Sequence, residues 1–150
     1  MAFEIGTASA AEVMLMAKWA AAENWNPGLT DAQAFVVADP RGFLIGRMNG
    51  EPVTSISVVQ YGKAFGFLGM YIARPDARGR GLGYRTWQAG MARLSGRTVA
   101  LDGVVAQQDN YRRSGFHLAW TNVRFEGAAP DVEAPPGVRI VDARDLHCSG

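Results

Sequence analysis

Gly69-Met-Tyr-Ile-Ala-Arg-Pro-Asp-Ala-Arg-Gly-Arg-Gly-Leu-Gly-Tyr84 is the stretch on which the reading of this chain turns. An apolar strand runs into a loop with glycines at 79, 81 and 83 and arginines at 74, 78 and 80, and a helical pattern begins at Tyr84. Backbone N–H groups bared by glycine at a helix start attract an anion, because no Cβ blocks approach and the helix dipole favours negative charge. Several arginines around them match more than one phosphate. The residues point to a pyrophosphate.

Spacing excludes two familiar pyrophosphate loops. A P-loop needs Lys-Ser/Thr after its last glycine, whereas Tyr84-Arg85 follows here. Gly79-x-Gly81 puts Tyr84 where the dinucleotide fingerprint requires a third glycine. What remains is Arg78-x-x-Gly81-x-Gly83.

Composition bounds the context. A chain of 150 residues suggests one domain, able to bury about two-thirds of its unfolded surface in a single core. With 48% hydrophobic and 19% charged residues it reads as a soluble globule and not as a disordered segment. A net charge of +1 argues against a general nucleic-acid or membrane-surface partner, and the basic residues gather locally around 74–85. Cys148 is the one cysteine, so there is no intrachain disulfide framework and a reducing cytoplasm is expected. No apolar run reaches the length of a membrane span, and the N-terminus lacks a signal-peptide pattern.

Upstream of the loop, Phe3 to Thr7 suggests a short strand. Ser9-x-x-Glu12 is a capping box opening a helix with Val13, Met16, Ala17 and Ala20 on one face, expected to end near Asn24. Thr30-x-x-Gln33 is read as a second capping box, and Asp39-Pro40 stops its short helix. Phe43 to Met48, an Asn49-Gly50 turn, Val53 to Gln60, a Gly62-Lys63 turn and Phe65 to Ala73 make an antiparallel meander. After the loop, a helix carries Tyr84, Trp87, Met91 and Leu94 on one face, with Gly96 beyond its end. A strand is expected over 98–105, a brief helix from about Gln107 to Ser114, and a long strand over 116–125. Past Gly127 the chain turns to Pro, Ala and Gly, with only 138–141 apolar.

This order of elements, together with Arg78-x-x-Gly81-x-Gly83, resembles the GNAT N-acetyltransferase family, whose R/Q-x-x-G-x-G/A signature holds the pyrophosphate of acetyl-CoA. Tyr111-Arg-Arg-Ser-Gly115-Phe116 resembles the family's later Y-x-x-x-G-F, and it follows the strand at 98–105 in the proper order. The resemblance implies an α/β (α+β) GNAT fold over residues 1–126. A mixed, mostly antiparallel sheet is flanked by helices, and the pyrophosphate loop lies between the fourth strand and the third helix. Residues 127–150 are a linker or the start of a further strand. Two departures stand out. Val104 occupies the place, seven residues before the tyrosine, where many members carry asparagine. The closing hairpin shows one clear strand, with 138–141 as a candidate partner. The run from Trp25-Asn-Pro-Gly through Leu101-Asp-Gly-Val-Val also resembles a bacterial subgroup with two tandem GNAT-like domains, of which this would be the N-terminal copy.

By the same resemblance the expected activity is transfer of an acetyl group from acetyl-CoA, as co-substrate, to a primary amine of a small molecule or peptide by direct attack in a ternary complex. No metal, nucleic acid or membrane is expected to take part. An unpartnered final strand invites a homodimer. Arg78, Gly79, Arg80, Gly81, Leu82 and Gly83 would cradle the pyrophosphate. The backbones of Met70, Tyr71 and Ile72 would bind the pantetheine arm and face the thioester carbonyl. Tyr111 is the candidate general acid for the departing thiolate. Glu23, Asn24 and Trp25 border the acceptor side.

The base is less legible. A lysine-like amine is neutral in roughly one molecule per two thousand at pH 7, so deprotonation matters. The strand at 65–73 carries no carboxylate. Asp102, interrupting an apolar strand, is the candidate base, set against a solvated strand end; a water-mediated route needs no dedicated carboxylate. His117 reads as packing, and His147 with Cys148 are too few for a zinc site. Two rivals stand beside the enzyme: a non-catalytic acyl-CoA-sensing module, and an interaction domain using the loop for another phosphorylated partner.

Overall fold

The computed structural model of the chain describes residues 2–123 together with 125, 127, 128, 133 and 135–139. Its elements are β1 (Phe3–Thr7), α1 (Ala10–Ala22), α2 (Asp31–Ala38), β2 (Phe43–Met48), β3 (Glu51–Tyr61), β4 (Phe65–Ala73), α3 (Leu82–Arg93), β5 (Thr98–Leu101) and α4 (Gln108–Arg113). Short 3-10 turns at Pro75–Ala77 and Val105–Gln107 precede α3 and α4. The sheet order is β1-β2-β3-β4-β5, antiparallel up to β4 and parallel between β4 and β5. This is the mixed, mostly antiparallel sheet that the sequence implies.

The layers follow from which side chains each strand must hide. Phe43, Ile45 and Val59 pack with Val13, Met16 and Ala32, so α1 and α2 cover one face. Ile56, Val58 and Leu68 pack with Trp87 and Leu94, so α3 covers the other. The central strand β3 is accordingly buried without interruption from Val53 to Val59, as expected for a strand covered on both faces. Thr54 and Thr86 share a buried hydroxyl bond of 2.7 Å that ties β3 to the first turns of α3.

The capping box at Ser9 is present: Glu12 N–H donates to the Ser9 hydroxyl, and the Ser9 N–H donates to the Glu12 carboxylate. Arg47 of β2 also clamps Glu12 with two bonds, Nε to Oε1 at 2.8 Å and Nη2 to Oε2 at 2.7 Å. Arg47 drives the Glu12 carboxyl down from 4.5 to about 2; burial opposes this and the Ser9 bonds reinforce it. A carboxyl depressed in the folded state contributes stability above its unfolded pKa and loses it as pH falls through the folded value. Glu12→Gln is therefore expected to cost about 2–3 kcal/mol at pH 7. In urea titrations across pH, the gap between variant and parent should close between about pH 4.5 and 2.

Four expectations are corrected. The second capping box does not form: Thr30 makes no side-chain cap bond, and the Gly28 N–H donates instead to Asp31 Oδ2 at 2.8 Å. Thr30 has φ −114° and ψ 0°, not the extended backbone that aims a cap hydroxyl at the helix. The strand expected over 98–105 stops at Leu101. Residues 116–123 form no strand, and Leu118, Trp120 and Val123 are exposed. Alternation specifies a strand only where a neighbour pairs with it and covers its apolar side chains. Finally, Tyr84 is 61% exposed and leaves the buried face of α3 to Trp87 and Leu94. Of the expected partner strand at 138–141, residues 140 and 141 lie outside the described residues, as do His147 and Cys148.

Candidate active site

The site arises from a mismatch in length. β4 pairs with β5 only from Phe65 to Leu68, yet it continues to Ala73. Past Leu68 the two parallel strands part, leaving the β5-facing edge of β4 without a strand partner among the described residues. Ligands of such sheets bind beyond the carboxyl ends of parallel strands. Here a cleft of about 900 Å³ opens there.

A bulge shapes the edge that lines it. Ser57 pairs with Gly69 and Ser55 with Ile72, so Met70 and Tyr71 together oppose Ile56. Met70 has φ 44°, a left-handed conformation that costs a non-glycine residue about 1–2 kcal/mol. The buried Ser55 hydroxyl holds the bulge by donating to the Met70 carbonyl at 2.8 Å. Tyr71, Ile72 and Ala73 line the cleft; Met70 packs instead toward the α1 side of the sheet.

The glycine loop joins two residues that line the cleft, Arg78 and Tyr84. Gly81 is the N-cap of α3 with φ 74° and offers no side-chain cap, so the first-turn N–H groups remain open, since no preceding turn can pair them. An ideal Cβ at Gly79 or Gly81 would meet nothing within 4 Å, so the approach is clear. At Gly83 a Cβ would come within 3.2 Å of Tyr71 Oη; glycine lets that hydroxyl lie against the helix start. Leu82 is buried and anchors the turn. The geometry fits a diphosphate on the amides of 81–84. The arginines divide. Arg74 is committed to Glu51 at 3.0 Å and Asp76 at 2.6 Å, which makes it a brace of the loop. Arg78 donates to the Ala73 carbonyl at 2.9 Å and lines the cleft, while Arg80 is exposed and is not among the residues that line it.

Another part of the wall comes from the end of α1. Trp25 N–H donates to the Ala20 carbonyl and Asn24 N–H to that of Ala21, with Asn24 at φ 61°, which is a Schellman ending. Asn24 thus supplies the left-handed turn, and Glu23 and Trp25 on either side of it line the cleft. Glu23 Oε1 accepts from Arg78 Nη2 at 2.5 Å, joining this wall to the glycine loop.

Tyr111 enters from α4. Its ring stacks on Trp87 with centroids 6.1 Å apart, and Tyr71 lies 5.2 Å from Trp87 on another side. Burial pushes the Tyr111 phenol above 10.0; burial and then the neighbouring Tyr111 push Tyr71 up as well. Both phenols are therefore proton-bearing at neutral pH. The approach of Tyr111 depends on Gly103, where a Cβ would fall 2.5 Å from Tyr111 Cε2. Gly103→Ala must displace that ring, and misplacement by about 1 Å costs on the order of a hundredfold in rate. The expected result is turnover reduced about tenfold to a hundredfold with the fold retained, read by steady-state rates beside circular dichroism.

Asp102 is exposed beyond the end of β5, where its Oδ1 accepts from Asn122 Nδ2 at 3.2 Å, and it does not line the cleft. Of the two settings weighed for it, the solvated strand end is the one present, because β5 ends at Leu101. His117 is exposed, beside a separate shallow depression with Arg97. Cleft residues that the sequence did not single out include Tyr84, Trp87, Asn110, Arg113 and Ser114. Helical spacing from Tyr111 could have found Ser114, three residues after it. Among the described residues there is no cluster of potential metal ligands and no helix long and apolar enough to cross a membrane.

The fold and cleft define a GNAT-type domain, and comparison with known proteins agrees. The model of the acetyltransferase (GNAT) family matches residues 10–117, and the chain belongs to that family. It is 37% identical over 140 residues to a holothin acyltransferase from Pseudoalteromonas sp., covering 93% of this chain and 48% of that protein. The chain thus spans about half the length of this relative. A GNAT-family protein from Xanthomonas campestris pv. campestris superposes with a TM-score of 0.68 at 21% identity, covering 84% of this chain and 94% of the other. An acetyltransferase from Trypanosoma brucei does so with a TM-score of 0.61 at 18% identity, covering 83% and 99%. At such identities these two establish the fold.

Proposed function

We propose that the chain is an N-acyltransferase domain that moves an acyl group, acetyl first among them, from a coenzyme A thioester to a primary amine by direct attack in a ternary complex. One observation carries the reading: the parted edge of β4, Tyr111, and Arg78 and Tyr84 on either side of the glycine loop line one cleft. The thioester supplies the activated acyl carbon. The amides of 81–84, with Arg78 and Arg80, bind the diphosphate. The free edge at Tyr71–Ala73 pairs with the amide-bearing arm as a further strand would, and its N–H groups are available to the carbonyl oxygen that gains charge. Tyr111 gives its proton to the departing thiolate. A phenol above 10 protonates a thiolate of about 8.5 only slightly uphill, which positioning offsets. Glu23 and Trp25 border the acceptor.

The family and the relative's name support acyl transfer as the class; holothin, which that name mentions, belongs in the first acceptor trials. The decisive experiment pairs calorimetry using desulfo-CoA with thiol release from acetyl-CoA over an amine panel. Binding plus amine-dependent release supports the enzyme. Binding without release above hydrolysis would make the domain an acyl-CoA sensor, and competition by ATP against CoA would point to another phosphorylated partner.

A further inference from the structure

We infer, on the acyltransferase reading above, that Glu23 gates the coenzyme site. In the free protein its carboxylate holds Arg78, and a diphosphate must displace it to reach that guanidinium.

A carboxylate is out of place in this cleft. Among the described residues lining it, Glu23 is the one acidic side chain, yet the ligand assigned to the cavity is itself polyanionic. Like charges brought together oppose each other unless a cation lies between them. Arg78 is that cation, with Nη2 on Glu23 Oε1 at 2.5 Å.

The fold brings the pair together from distant elements. Glu23 is the C-cap of α1, and Arg78 ends the 3-10 turn ahead of the glycine loop, 55 positions later. Asn24, left-handed at φ 61°, turns the chain directly after Glu23 and fixes where its backbone stands. The last turn of α1 has no basic residue of its own, so Arg78 supplies positive charge at the negative end of that helix. Arg78 is anchored separately by Nε, which donates to the Ala73 carbonyl at 2.9 Å. Release from Glu23 leaves that anchor at the end of β4 in place.

Exposure makes the contact a gate and not a brace. The Arg78 and Glu23 side chains are 51% and 36% exposed, a setting in which water and salt weaken an ion pair. A diphosphate offers the guanidinium paired oxygens and more charge than one carboxylate. Arg74 is the contrast, held at once by Glu51 and Asp76. Of these two arginines, Arg78 is the one able to change partner. Every entry of coenzyme then breaks one ion pair, so the Glu23 charge lowers affinity.

The test is calorimetry of the 150-residue chain with desulfo-CoA. Glu23→Gln, which keeps the shape of the side chain and removes its charge, is expected to tighten binding by about threefold to tenfold at low salt. Glu23→Ala should do the same. The gain should fall below about twofold at about 0.5 M NaCl, where the Debye length is near ~4 Å. In an Arg78→Gln background, Glu23→Gln should change affinity by less than about twofold, because the guanidinium in dispute is gone. Pantetheine, which has the arm without phosphate, should bind parent and Glu23→Gln within about twofold of each other. Unchanged or weaker desulfo-CoA binding in Glu23→Gln overturns the inference and leaves coenzyme binding standing, since Glu23 would then prop Arg78 for the ligand. A gain that persists undiminished in Arg78→Gln, or that extends to pantetheine, also overturns it. Failure of parent and Glu23→Gln alike to bind desulfo-CoA overturns the coenzyme reading itself.

Discussion

Gly81→Val is expected to weaken desulfo-CoA binding by a factor of about 100 to 1,000 while leaving the fold nearly untouched. Gly81 is the N-cap of α3 at φ 74°, where a β-branched side chain is strained by about 1–3 kcal/mol. The chain can relieve that strain only by turning the loop out of the left-handed region, which re-aims the amides of 81–84. Charge-assisted bonds to an anion contribute about 1.5–3 kcal/mol each, so losing one or two accounts for the predicted range. The loss of stability should not exceed that strain of about 1–3 kcal/mol, because Gly81 is exposed and a Cβ there meets nothing within 4 Å. Calorimetry and a thermal melt on the same sample separate the two effects. Arg74→Ala supplies the contrast: as a brace tied to Glu51 and Asp76, it should loosen the loop and weaken binding by less. An unaltered affinity in Gly81→Val would remove the glycine loop from the binding site, and with it the basis for coenzyme recognition.

What the sequence made legible was what short-range physics decides. Asn49-Gly50 turns the chain with both residues at positive φ, and the Ser9 box caps α1 as its spacing implies. Apolar runs between turn signals placed β2, β3 and β4, and helical spacing placed Trp87 and Leu94 on the buried side of α3. The cleft wall at the end of α1 was half legible: 23–25 was identified as a region, but that Asn24 is the turn while Glu23 and Trp25 face the cleft follows from the helix ending in three dimensions. What failed depended on partners distant in sequence. Residues 116–123 alternate like a strand but have no pairing neighbour. Enclosure of Asp102 stayed a candidate beside a solvated strand end because β5 was read four residues too long. The second phenol, Tyr71, was visible only as backbone, since its meeting with Trp87 spans two elements. Gly103 could not be read at all; its meaning lies in the ring of Tyr111 packed against it.

Tyr111→Phe is expected to lower kcat by about 10² to 10³, the usual range for a positioned proton donor, with desulfo-CoA affinity unchanged within about twofold. Phenylalanine keeps the stack on Trp87, so the variant removes the hydroxyl and little else. Tyr71→Phe is the necessary control, because Tyr71 carries the other phenol packed on Trp87 and also has its ionisation suppressed by burial. If Tyr111 is the donor, Tyr71→Phe should cost far less; the reverse order would transfer the role to Tyr71, whose hydroxyl rests against the start of α3. The pH dependence carries a sign. A donor must hold its proton, and burial raises the Tyr111 pKa above 10.0, so kcat should not fall between pH 7 and 9. A decline across that interval would mean a donor ionising well below a buried phenol, and it would exclude both tyrosines together. Thiolate stays a poor leaving partner only while unprotonated, so supplying a thioester whose thiol is more acidic should rescue Tyr111→Phe more than the parent. That selective rescue is the outcome a merely structural tyrosine cannot produce.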